Sequence, residues 1–135
     1  MISHVAGAAG VEEHPPFLLL AGFAESADGG WTFAFQCDLR MNDYGEDSNW
    51  PEGESYCVVN ERGFTQYGCV REIEALGHVV RVDFTEDAVR DLQLADSEYE
   101  FRVAANDADM PRLLATLRRI LTCGRPEYHP RILGM

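Results

Sequence analysis

Five carboxylates, Asp43, Glu46, Asp47, Glu52 and Glu54, fall within twelve residues, in the stretch DYGEDSNWPEGE. Oxygen ligands at that density could hold a hard cation such as calcium. The loop of a calcium-binding helical hand needs oxygens at alternate positions, a glycine at the sixth and a glutamate at the twelfth. Counted from Asp43, the third position is Gly45, the sixth Ser48 and the twelfth Glu54, so that register breaks. An irregular calcium site on the same carboxylates, in a small-ligand or calcium-binding regulatory domain, stays open as the alternative. The segment also carries Tyr44 and Trp50 and no basic residue. Rigid amphipathic aromatics are enriched at binding hot spots, and carboxylates around them steer and orient a basic partner. A connection of this length without periodic structure is more often functional or disordered than a plain connector. Asp43, Tyr44, Glu46, Asp47, Trp50, Glu52 and Glu54 are therefore the candidate partner-binding residues.

Other chemistries find less support. The four histidines, at positions 4, 14, 78 and 129, lie far apart and none has a Cys or His at zinc spacing. The four cysteines, at 37, 57, 69 and 123, form no C-x-x-C pair, and Cys57 and Cys69 sit among apolar neighbours in strand-like runs, which reads as structural. No G-x-S-x-G, H-E-x-x-H, G-x-x-x-x-G-K-[ST] or G-x-G-x-x-G occurs, and the few serines lie in loops or at strand edges, outside any nucleophile motif. Glu98 and Glu100 share one face of a strand, as solvated pairs commonly do. RGFTQYGCV opens like an RNA-recognition strand at Arg62-Gly63-Phe64, but Gln66 and Cys69 stand where stacking aromatics belong. No catalytic residue, metal ligand or cofactor is assigned, and the chain is not expected to be an enzyme.

The chain has 135 residues, enough for one domain that buries roughly two-thirds of the surface its unfolded form exposes. Hydrophobic residues make up 46% and charged residues 25%, too apolar a balance for disorder. The formal charge of −12 comes from 23 acids against 11 basic residues, all arginine. Such a surface repels phosphate backbones and anionic membranes and attracts basic partners. The longest apolar run, Phe17 to Ala24, is far shorter than the roughly 20 residues of a spanning helix. With no secretory pattern at the N-terminus, a cytosolic protein with reduced thiols is expected.

Those residues need a scaffold, and the periodicity supplies one. FLLLAGFAE and WTFAFQCDL are β-type runs joined by a turn at Ser26 to Gly30, with Trp31, Phe33 and Phe35 on one face. SYCVVN and FTQYGCVREIEAL flank a turn at Glu61-Arg62-Gly63, and Leu76-Gly77-His78 returns the chain into VVRVDF. Gly68 interrupts the longer run and marks a bulge or a close backbone approach. Thr85 is placed to cap a short helix, SEYEFRV alternates as a strand, and Met110 to Leu121 is amphipathic at helical spacing. The expected fold is α+β: a single domain over residues 16–124, mostly one antiparallel β-meander sheet with two helices on it, in the order βββββαβα. Residues 1–15 read as a flexible lead-in and 125–135 as a tail. An exposed sheet edge would allow a homodimer.

From Ser55 onward the chain resembles the bacterial immunity proteins of polymorphic toxin systems, in particular immunity protein family ten. The resembling residues are Tyr56-Cys57-Val58-Val59, then Gly63, then Tyr67-Gly68 before Val70, followed by the Thr85 to Leu94 helix pattern and the helix LLATLRRIL. Cys69 stands in place of a second glycine, and Leu92-Gln93-Leu94 in place of a Leu-Gly-Leu helix end. The resemblance covers roughly residues 17–121. It implies a cytosolic antidote that binds a cognate toxin domain and occludes it without catalysis, with the matched motifs as framework. Toxins of such systems include nucleases with basic active sites, which suit an acidic inhibitor that itself binds no nucleic acid and no membrane.

Overall fold

A computed structural model describes residues 1–14, 18–38, 55–106 and 108–135. The first expected hairpin is β3 (Leu18–Ser26) against β4 (Gly29–Asp38), paired from Leu18 with Asp38 to Ala24 with Thr32, with a register shift at Glu25 beside the turn. The second joins β5 (Cys57–Asn60) to β6 (Thr65–Tyr67) around Gly63, whose φ of 76° is open to glycine at no steric cost. β7 (Val70–Leu76) and β8 (Val79–Phe84) form the third, turning at Gly77. Thr85 caps α1 (Glu86–Asp91) by accepting from the Ala88 amide at 3.2 Å. β9 (Glu98–Val103) and α2 (Met110–Leu121) follow, and Asp109 caps α2 by accepting from the Arg112 amide.

The single meander sheet is not what forms. The strands divide into two five-stranded sheets. One has the order β2-β3-β4-β5-β6, where β2 (Ala8–His14) lies antiparallel to β3. The other has the order β1-β9-β8-β7-β10, where β1 (Ile2–Ala6) runs parallel to β9 and β10 (Arg131–Leu133) parallel to β7. The stretch expected as lead-in thus holds β1 and β2, and the stretch expected as tail holds β10. Two segments pass from one sheet to the other. One is β1–Gly7–β2, where the Gly7 amide donates to the Glu25 carbonyl at 3.1 Å. The second is β6–Gly68–Cys69–β7, which divides a run the sequence presents as one strand. Strands that switch sheets at a bend make the corners of a packed sandwich.

The inner faces of the two sheets meet in an aromatic cluster. Phe101 on β9 stacks on Phe23 of β3 with ring centroids 4.7 Å apart, and Phe33 of β4 packs on Phe84, Tyr99 and Phe101. The alternation seen in the sequence explains this: Phe33 and Phe35, and Tyr99, Phe101 and Val103, are all buried on the face their spacing selects. α2 buries Met110, Leu113, Leu117, Ile120 and Leu121 and packs against β2, β3 and β4.

Trp31 is half-buried and stacks on the His4 imidazole at 4.3 Å. Burial holds His4 below the ordinary histidine pKa of 6.5, against the pull of Glu25 and Glu61. A histidine depressed in the folded state contributes stability that is complete above its unfolded pKa and is lost as pH falls below it toward the folded value. The chain should therefore lose stability as pH falls below 6.5, and His4→Phe should lose less over the same range. Urea midpoints at neutral and mildly acid pH measure this; equal declines in the two proteins would contradict it.

Candidate protein-interaction surface

All seven predicted partner-binding residues, Asp43, Tyr44, Glu46, Asp47, Trp50, Glu52 and Glu54, lie outside the described residues. What is described is the frame on either side of them. Asp38 ends β4, and Ser55 forms an antiparallel bridge with Gly124, just beyond α2. Ser55 is 1% exposed, and its hydroxyl has no hydrogen-bond partner among the described residues.

The frame is built by the Tyr56 and Gly68 motifs. Tyr56 is fully buried; its hydroxyl accepts from the Val70 amide at 3.0 Å and donates toward the carbonyls of Tyr128 at 3.0 Å and Val70 at 3.3 Å. One phenol thus ties β7 to the C-terminal segment, and burial pushes its pKa well above that of a free tyrosine. Gly68 donates its amide to the Tyr56 carbonyl at 2.9 Å with φ 57°. A Cβ there would lie 2.5 Å from the Tyr128 ring and 3.1 Å from the Ser55 hydroxyl. The close approach expected at Gly68 is present. Gly68→Ala should cost about 1–3 kcal/mol in a denaturant titration, because it combines a strained backbone region with a ring contact that has to move; an unchanged midpoint would contradict that role. Asn60 closes the next hairpin: its amide donates to the Leu92 carbonyl at 2.8 Å, and its side-chain oxygen accepts from the amides of Arg62 and Phe64.

Two further surfaces are open. No described helix packs on the outer face of β2, β3 and β4, where Ala8, Gly10, Leu20, Gly22, Ala24 and Ala34 line a groove of about 330 Å³. The outer face of the other sheet is acidic. Registered pairing sets Glu72, Asp83 and Glu98 side by side across β7, β8 and β9, with Glu74, Arg81 and Glu100 in the next row. Like charges directly opposite one another cost stability. Arg131 at 3.6 Å from Glu72 and Arg71 at 3.9 Å from Asp83 offset this only in part, as exposed pairs contribute little. Leu76 and Val5, two of the exposed large apolar residues, lie in the row beyond. Glu98 and Glu100 read in sequence as a solvated pair; the signal that they join carboxylates of β7 and β8 lies in registers between strands, which spacing within one strand does not carry.

Among the described residues no group of three or more His, Cys, Asp or Glu side chains is placed to hold a metal ion. His14 pairs with Glu12 at 3.0 Å and His129 lies 3.2 Å from the Gly124 carbonyl, so each has a local partner. No helix among the described residues is long and apolar enough to cross a membrane.

Among known protein families one match covers these features together. The model of the family Immunity protein 10 matches residues 5–111, most of the chain. The chain belongs to the Immunity protein 10 family. No curated protein and no solved structure matches it. The matched span of this immunity protein starts within β1 and ends at the first turn of α2. It therefore includes strands that precede the resemblance read from sequence, and it leaves out the LLATLRRIL helix face. Tyr56, Gly63, Gly68 and Val70 all fall inside it, and in the fold they hold turns, a corner and a buried hydrogen-bond hub.

Proposed function

We propose that this protein neutralises a cognate toxin by binding it directly and covering its working surface, without catalysis. Family membership over residues 5–111 is the observation that carries the reading. The partner is a basic toxin domain, a nuclease being the kind that best suits an inhibitor of charge −12. The acidic segment, with Asp43, Tyr44, Glu46, Asp47, Trp50, Glu52 and Glu54, is the proposed contact. Its composition supports this, and so does its position in the chain: it leaves β4 at Asp38 and returns at Ser55, both held in the framework. The acidic rows on β7, β8 and β9 add to the field that would draw a basic domain in. The site of action proposed is the cytoplasm.

The test is capture. The tagged chain, coexpressed with the toxin module encoded beside it, is expected to retain that module through purification and to permit growth of cells that the module alone kills. Free passage of the module, with no protection, would overturn the reading.

A further inference from the structure

The two sheets turn different faces to the outside. Across β7, β8 and β9 the outward side chains are mostly charged, whereas the outward positions of β2, β3 and β4 are mostly small or uncharged. The charged ones there, Glu12, His14 and Asp38, are gathered toward one end, where Glu12 is registered with Leu20, and Leu18 with both His14 and Asp38. In a chain of charge −12 this is a broad surface on which a molecule of the same charge can lie without setting carboxylate against carboxylate.

The groove on this face has two causes. At Gly22 a Cβ would collide with the Phe33 carbonyl oxygen, so the sheet itself demands glycine there. At Gly10 it does not: a Cβ would meet no atom of the described residues within 4 Å, and the backbone is outside the positive-φ region. The fold accepts a side chain at Gly10, so the groove of about 330 Å³ stays open without need from within the chain. Large and small residues also alternate along the strands, so that the face matches itself. Leu20 and Gly22 are outward neighbours on β3, as Gln36 and Ala34 are on β4. Consider two such faces packed together about a two-fold axis that crosses the strands at Ala21. Leu20 of each copy then lies over Gly22 of the other, Gln36 over Ala34, Leu18 over Ala24 and Glu12 over Gly10. Each larger side chain meets a small one, and no carboxylate meets another. The strand axes of the two copies stay within about 30° of each other, as in ordinary aligned sheets.

We infer that the outer face of β2, β3 and β4 binds the same face of a second copy of this chain, Leu20 of each filling the groove at Gly10 and Gly22 of the other. Strand spacings of about 4.8 Å and rises of about 3.4 Å give the outer face of this sheet an area of about 450 Å². Two such faces cover about 900 Å² together, which is below the area of a typical obligate dimer and suits a reversible one. The acidic rows of β7, β8 and β9 lie on the opposite side of the sandwich and stay uncovered in both copies, so the inference stands apart from the toxin-binding reading.

Sedimentation equilibrium of the full chain between about 1 and 300 μM reads the association. The mean mass is expected to rise from that of one chain toward that of two across this range. The association should strengthen as salt is raised, because screening weakens the repulsion between two chains of charge −12. Gly10→Glu sets a carboxylate over Glu12 of the second copy, and Leu20→Ala removes the side chain that fills the groove. Each should move the midpoint concentration upward by at least about 10-fold. Because the space above Gly10 is open, Gly10→Glu should retain the melting midpoint of the dilute protein, which separates loss of the interface from loss of the fold. A chain that stays monomeric throughout, association that Gly10→Glu leaves unaltered, or association that salt weakens would each overturn the inference. So would a monomeric chain whose Gly10→Glu variant loses the cognate toxin, since that result would assign the face to the toxin.

Discussion

Phe101→Ala is expected to lower the free energy of unfolding by about 3–5 kcal/mol, the usual cost of truncating a fully buried phenylalanine. Phe101 is 0% exposed and sits where the two sheets meet. Its ring stacks on Phe23 at 4.7 Å with the planes 4° apart, lies 5.2 Å from Phe33 and 5.6 Å from Trp31, and has Tyr99 beside it at 6.0 Å. These neighbours come from both sheets and are held by strand registers, so they cannot easily collapse into the void. Against a total stability of about 5–15 kcal/mol for a typical domain, the loss would leave the protein marginal. Urea titration followed by Trp fluorescence reads it directly. A cost below about 1 kcal/mol would mean that the sheets do not meet at this ring.

The second large effect is functional. Trp50→Ala combined with Glu46→Ala and Asp47→Ala should weaken binding to the cognate toxin by more than about 30-fold, with the melting midpoint unchanged. Tryptophan at the centre of an interface is the residue type whose loss most often exceeds about 2 kcal/mol, and removing two carboxylates lowers the association rate as well. The rate loss should shrink as salt is raised, since screening already suppresses long-range attraction, whereas the Trp50 contribution should persist. Surface plasmon resonance at two ionic strengths separates the two. Unaltered affinity would remove the acidic segment from the interface and leave the outer sheet faces as the remaining surfaces.

How much of this the sequence shows depends on the range of the interaction. Phe33 and Phe35, Tyr99 and Phe101, and the α2 stripe are local periodicities, and each buries the face its spacing selects. Turns at Gly63 and Gly77 are equally local. The division into two sheets is not. β1 pairs with β9 from the far part of the chain, through backbone atoms that carry no side-chain signal, and ISHVA and AAGVEEH are too small and polar to advertise strands. β10 has three residues and is defined by its pairing with β7 alone. At Gly68 the interruption is visible in sequence, but that it turns the chain into another sheet depends on Tyr128, sixty residues on. The contact of the Cys123 thiol with the Asp38 carbonyl has the same character: nothing in either neighbourhood names the other. The acidic segment is the reverse case, conspicuous in composition and placed by sequence between two framework residues, Asp38 and Ser55.

The central claim is neutralisation by direct occlusion, and titrating the cognate toxin's activity with the purified chain tests it most directly. Activity should fall in a straight line and reach zero at equimolar chain, with the toxin recovered intact when the complex is dissociated. Full inactivation by a small fraction of an equivalent, or undiminished activity at excess chain, would contradict it.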